Sequence, residues 1–226
     1  NFKNGFLPAS YQASILQAKD IPLANILPQE SSAIQQAKLK HMQRVDQSLL
    51  GQLGNADQIE SAIANYELAF RLQASVPELG DISTASKATK KLYGLESDDP
   101  NCRNYGAQCL LARRLVERGV KFIELTIPRN KHDRWDQHAN LKEGHEDNAH
   151  AVDQPIAGLI KDLKSRGLLE STLLVFAGEF GRTPFAQSKN GRDHNPSAFS
   201  IWLAGAGIKG GTVYGKTDEY GYRVIE

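Results

Sequence analysis

Five of the six histidines fall between His132 and His194, and three short clusters there mix imidazole, carboxylate and guanidinium groups. The first is Trp135-Asp136-Gln137-His138, with His145 a little further on. The second is Gly178-Glu179-Phe180-Gly181-Arg182-Thr183-Pro184. The third is Gly191-Arg192-Asp193-His194-Asn195-Pro196. Asp136, His138, His145, Glu179 and His194 together form a mixed oxygen and nitrogen donor set, which suits Zn, Mn or Fe better than Ca alone. Arg182 and Arg192 could hold an anionic substrate bidentately. A Lewis-acidic metal beside arginines is equipment for ester hydrolysis at phosphorus or sulfur. Each cluster also has a plain structural reading. An Asp and a His two apart on a loop are a common pair. Glu179 could simply pair with Arg182, His145 could be a satisfied core histidine, and Gly191–Pro196 could be a turn held by its own hydrogen bonds.

The elements that must position these groups follow from periodicity and punctuation. Residues 1–30 read as an irregular surface segment, interrupted by Pro8, Pro22 and Pro28. Residues 31–100 read as a helical segment packed on the core. In it Ser31-Ser32 offer an N-cap, a first apolar stripe runs from Ile34 to Leu53 broken by Gly51 and Gly54, and a second runs Ile59, Ile63, Tyr66, Phe70 to a stop at Pro77. Together the two stripes predict a helical hairpin. Residues 101–226 read as an α/β portion carrying the candidate metal site. Tyr105–Arg118 predicts a helix stopped by Gly119, and Val120–Ile127 a strand. Asn140-Leu141-Lys142-Glu143 has capping-box form and predicts the start of a helix running to about Arg166, with His145, Ala149, Val152, Ile156 and Leu163 on its buried face. Thr172–Ala177 and Phe199–Ala204 predict two further strands, the former apolar throughout, as a buried parallel strand should be. Helix alternating with strand is the rhythm of an α/β sheet, in which ligands bind beyond the carboxyl ends of the strands.

Composition removes several classes. Lys+Arg 27 against Asp+Glu 26 leaves a formal net charge of +1 over 226 residues, so the basic field that carries nucleic-acid binding is missing. No apolar run approaches the roughly 20 residues that span a bilayer. Cys102 and Cys109, on one helix, would lie about 10 Å apart along its axis, beyond the roughly 7 Å that a disulfide bridges. Gly205-Ala206-Gly207-Ile208-Lys209-Gly210 matches the dinucleotide fingerprint, but Gly211-Thr212-Val213-Tyr214-Gly215 follows where that motif needs a helix. The reading there is a glycine-rich loop leading into a hairpin.

The chain resembles a bacterial family, "domain of unknown function 1501", a branch related to the alkaline phosphatase and sulfatase superfamily. The resemblance rests on Gly5–Gln12, Asn65–Arg71, Gln108–Val120, Trp135-Asp136 through His138, Gly178–Pro184, Gly191–Pro196 and Trp202–Gly205. It implies an alkaline-phosphatase-like fold with a mostly parallel central sheet, flanking helices and the helical hairpin. It further implies one or two divalent metals, with Zn, Mn and Ca as candidates, at the sheet's carboxyl ends. On that pattern Asp136 is the Asp of one metal site, His138 or His145 its neighbour, Glu179 the acid of the usual Asp-His pair, and His194 the late metal-binding His. Phe180 departs from the pattern, standing where the pair's His would be. The strand bearing the first acidic ligand and the nucleophile is expected before residue 1, so the chain reads as a central-to-C-terminal piece. The implied function is hydrolysis of phosphate or sulfate esters. The alternative is a non-catalytic module of the same fold that binds sulfated or phosphorylated ligands such as glycans. Relatives often carry an export signal, which implies a periplasmic or extracellular address.

Overall fold

The computed structural model describes residues 13–17, 30–53, 63, 67, 70, 79–127 and 135–226. The chain divides into two compact units, Asn1–Thr84 and Ala85–Glu226. Most of the expected irregular segment 1–30, Ile59 and Tyr66 of the second apolar stripe, and Pro77 lie outside the described residues.

In the first unit, helix α1 spans Ser32–Leu53. It runs through Gly51, where the sequence reading placed a break. A glycine costs a helix interior only about 1 kcal/mol, too little to stop it alone. Ile63, Glu67 and Phe70 are each helical, and Gln43 Nε2 donates to Glu67 Oε1 at 2.7 Å.

The second unit carries the larger core. Ser86 caps the short helix α2, Lys87–Leu92, by accepting from Thr89 N at 3.1 Å. The chain turns at Tyr93 and at Gly94, which has φ +70°. Asp99 then caps α3, Pro100–Glu117, by accepting from Asn101 N at 2.9 Å. Pro100 at the first helical turn loses no helical hydrogen bond, so α3 begins ahead of the Tyr105 start read from the apolar pattern. Helix α4 spans Leu141–Ser165. Tyr93, Cys109, Leu110, Pro155 and Leu163 are fully buried where these elements meet.

The buried face of α4 keeps Val152 and Leu163 from the predicted stripe but is rotated away from the rest of it. Gly144, Asn148, Ala151, Val152, Pro155, Gly158, Leu159, Asp162 and Leu163 are buried, while Ala149 is exposed and His145 and Ile156 are half-buried. Small residues set the face by permitting close approach: a Cβ on Gly158 would stand 2.6 Å from the Leu92 carbonyl oxygen. A hydrophobicity pattern passes over glycine and so misplaces the helix by about one position.

The strands also differ from expectation. Strand β1, Leu173–Phe176, pairs antiparallel with β4, Trp202–Gly205. Strand β2, Gly181–Arg182, pairs antiparallel with β3, His194–Asn195. These are two separate two-stranded sheets, not a parallel central sheet. Parallel neighbours need a long crossover, usually a helix. No helix lies between β1 and β4; the chain makes the β2–β3 ribbon instead and returns alongside. Val120–Ile127, expected as a strand, forms no strand among the described residues, and Phe122 is 83% exposed. Residues 206–226 contain turns and no helix.

Candidate metal centre

Loop 135–140 and the β2–β3 ribbon build the site together. The Gln137 carbonyl accepts from Arg192 N at 2.9 Å, and the Asn190 carbonyl accepts from Leu141 N at 3.1 Å. Asn190 Oδ1 accepts from Asn140 N at 3.0 Å, and Asn190 Nδ2 donates to Asn140 Oδ1 at 3.3 Å. Asn140 therefore does not cap α4 with its side chain. It sits at φ +52°, and its side chain holds the facing loop instead. Within the ribbon, Thr183 N donates to the Asp193 carbonyl at 2.9 Å, and Asp193 N donates to Thr183 Oγ1 at 3.1 Å. Gly191 is required by space: a Cβ there would lie 1.9 Å from the His138 carbonyl oxygen. Trp135, directly before the candidate ligands, is held at φ +62°, a conformation that costs a bulky residue about 1–3 kcal/mol.

These contacts bring Asp136, His138 and His194 together, with one donor atom from each inside a 4.8 Å span. His138 Nε2 and His194 Nε2 each lie 3.1 Å from Asp136 Oδ1, and the two imidazole centroids are 4.9 Å apart. Ligands at a typical Zn distance in a tetrahedron stand about 3.4 Å from one another; the two His–Asp separations are close to this, and the whole set lies within 4.8 Å. The three side chains are 41%, 42% and 45% exposed, which leaves the far side open to solvent. Three protein donors with an open fourth position is the arrangement of catalytic rather than structural zinc.

Gln187 orients the first imidazole, its Oε1 lying 2.5 Å from His138 Nδ1. When Nδ1–H donates there, a neutral ring turns its Nε2 lone pair toward the Asp136 carboxylate. Two acceptors at that separation require a proton or a cation between them. An outer hydrogen bond that fixes the tautomer is usual for metal-bound histidine.

Arg182, opposite His194 in the ribbon register, joins the cluster. Its Nη1 pairs with Asp136 Oδ1, and its Nη2 donates to Glu179 Oε1 at 2.7 Å. Burial alone would raise the Asp136 carboxyl. Hydrogen bonds from His194 and Arg182, with the Arg182 charge, outweigh it and hold the group below its usual value.

The other expected residues lie elsewhere. Glu179 is 60% exposed and reaches the cluster only through Arg182; the plain Glu179–Arg182 pairing is the contact formed. His145 stands apart, its Nδ1 3.1 Å from the Leu141 carbonyl of its own helix and its ring edge-on to Trp135 at 5.1 Å. Arg192 donates to the Gly191 carbonyl at 2.8 Å. Phe180 packs against His194 with centroids 4.6 Å apart, under the Arg182 guanidinium. The sequence reading missed Gln187, Asn190 and Thr183. Nothing in residue type separates such loop-stitching groups from ordinary surface polar residues.

Comparison with protein families matches all of residues 1–226 to the family described as "Protein of unknown function (DUF1501)". The chain belongs to the DUF1501 family. Comparisons with curated proteins and with solved structures gave no match. Membership in DUF1501 is thus shown, and what the chain does must be argued from the Asp136–His138–His194 cluster.

Proposed function

We propose that this DUF1501 chain carries the metal-binding part of a metal-dependent hydrolase of phosphate or sulfate esters. One observation carries the reading: Asp136, His138 and His194 converge within 4.8 Å on an open surface, with Arg182 on the same carboxylate. The donor chemistry fits a divalent ion such as Zn or Mn. Bound there, the ion would supply Lewis acidity toward an ester oxygen. Gln187 orients His138, Arg182 offers guanidinium N–H groups to a tetrahedral anion, and Phe180 packs one side of His194. Neither cysteine suits a nucleophile's role. Both are buried, and burial pushes both thiols up.

A second reading is a non-catalytic module for anionic ligands. The packing of Phe180 on His194 favours it, since that side of the imidazole is already covered by an apolar ring.

Calorimetry with Zn and with Mn on this chain, beside assays of the full-length protein, which is expected to supply the nucleophile, on 4-nitrophenyl phosphate and 4-nitrophenyl sulfate, separates the readings. The hydrolase reading expects one ion per chain, lost in His138→Ala and in His194→Ala, and ester cleavage lost with it. Metal binding without cleavage of either ester selects the second reading. No metal binding by the folded chain overturns the metal centre.

A further inference from the structure

The β2–β3 ribbon frames a second feature that the metal cluster does not use. An open cleft of about 530 Å³ is lined by Pro184, Phe185, Asp218, Tyr220, Tyr222 and Arg223. Phe185 and Tyr222 stack, with centroids 5.9 Å apart and planes 23° from parallel, forming one apolar wall. The Arg223 guanidinium lies 6.0 Å from the Tyr222 ring. Tyr220 is 73% exposed and Phe185 60%.

This wall is fixed in place. Asp218 Oδ1 accepts from Tyr222 N at 2.8 Å, Asp218 N donates to the Arg223 carbonyl at 2.9 Å, and Gly221 N donates to the Asp218 carbonyl at 3.1 Å. The buried Asn195 of β3 donates to the Tyr222 carbonyl at 2.9 Å. Val224 N donates to the Ser197 carbonyl at 3.1 Å. Aromatic rings exposed on a hydrogen-bonded loop are prearranged contact surface, and hold their geometry without an ordering cost on binding.

We propose that this cleft binds the ring of a neutral sugar, a pyranose unit. Its volume lies in the range of small-molecule sites, about 300–1,000 Å³, rather than of an extended macromolecular groove. The outer face of Phe185, stacked on Tyr222 behind it, and the exposed ring of Tyr220 suit the C–H face of such a ring. Around it stand two phenol hydroxyls, a carboxylate and a guanidinium, which together donate and accept hydrogen bonds. The one acid and one base cancel in charge, so the cleft is matched to a hydroxyl-rich neutral group and not to an anion. An aryl group would use the wall and leave those polar groups unanswered. The proposal stands independently of the metal centre.

Saturation-transfer NMR on the full chain tests it, with the methyl glycosides of glucose, galactose and mannose at millimolar concentration, and 4-nitrophenol as the aryl probe. The expected result is transfer to the ring protons of at least one glycoside, unchanged by EDTA. Tyr220→Ala should weaken it by about three- to tenfold, the loss of one exposed aromatic ring of the lining, and Arg223→Gln should weaken it too. Both side chains are exposed, and matching thermal melts will show that the variants fold. No transfer from any glycoside overturns the proposal. So does transfer from 4-nitrophenol alone, or glycoside binding indifferent to Tyr220→Ala.

Discussion

Asp136 is where the charges of the site meet, since two imidazoles and Arg182 all address its Oδ1. Its carboxyl is held below the ordinary value of 3.8, so the folded protein binds fewer protons there than the unfolded chain. The stabilisation is complete above that ordinary value and disappears as pH falls through the lower folded value. A carbon-detected NMR titration should place the Asp136 midpoint below 3.8, and Arg182→Met should move it up. A midpoint in the wild type at or above the ordinary value would break the account. Gly191 makes a second residue-scale prediction. Alanine there would drive its Cβ into the His138 carbonyl, costing about 1–3 kcal/mol by overpacking. Urea denaturation should show that loss, and, on the proposed metal centre, calorimetry a weaker metal affinity, because the displaced backbone carries His138, one of the proposed ligands. Of the site itself, Asp136, His138 and His194 could be picked out because each can ligate a metal and each falls in a cluster of polar groups beside a predicted strand, although an Asp and a His two apart on a loop are a common pair. The Arg182–Asp136 pairing was not, since it spans 46 positions and depends on how the ribbon meets the loop.

At the scale of elements, α3 and α4 are locked by a charged network that carries no catalytic argument. Asp162, 8% exposed, accepts from Tyr93 Oη at 2.9 Å and from Arg166 Nε at 2.7 Å, and lies 3.1 Å from Arg113 Nε. Glu117 completes it, 2.9 Å from Arg166 Nη1. Removing the central carboxylate leaves Arg113 paired with Glu117 alone and the buried Tyr93 hydroxyl without its acceptor. Asp162→Ala should therefore cost about 1–3 kcal/mol, read as a fall in the urea midpoint with an unchanged slope. A loss under about 1 kcal/mol would show that the pairing is solvated and contributes as surface pairs do. The existence of both helices was readable from periodicity and glycine, Gly119 following the end of α3, while the Asp99 cap of α3 was missed and α4 begins after Asn140 without the capping box its sequence suggested. Their facing was less so. Close packing at Gly158 turns α4 away from its most apolar stripe, and hydropathy has no means of registering a missing side chain.

For the whole molecule, β1 shows why sheet topology was the least legible level. Its unbroken apolar run reads as a strand covered on both faces, yet Val175 is 57% exposed beside its antiparallel partner Leu203, itself 41% exposed. On the other face Phe176 and Trp202 stack 5.5 Å apart, and Leu174 and Ala204 are half-buried beside them. Local pattern specifies a strand; its partner and direction depend on chain distant in sequence. The division at Thr84 and Ala85 supports a stronger statement about autonomy. Among the described residues, the largest fully buried side chains, Tyr93, Leu110, Leu163, Asn148, Asn195, Pro155 and Cys109, all fall in the second unit. So do the network around Asp162, the Asp136–His138–His194 cluster and the aromatic cleft. A piece comprising residues 85–226 is within the usual domain range of about 50–250 residues. Expressed alone, it should melt cooperatively by circular dichroism and bind metal with the stoichiometry and affinity of the full chain. If it folds but its metal affinity falls more than about tenfold, equivalent to 1.4 kcal/mol, residues 1–84 contribute to the metal centre. If it fails to melt cooperatively, the core between α3 and α4 does not suffice without the first unit.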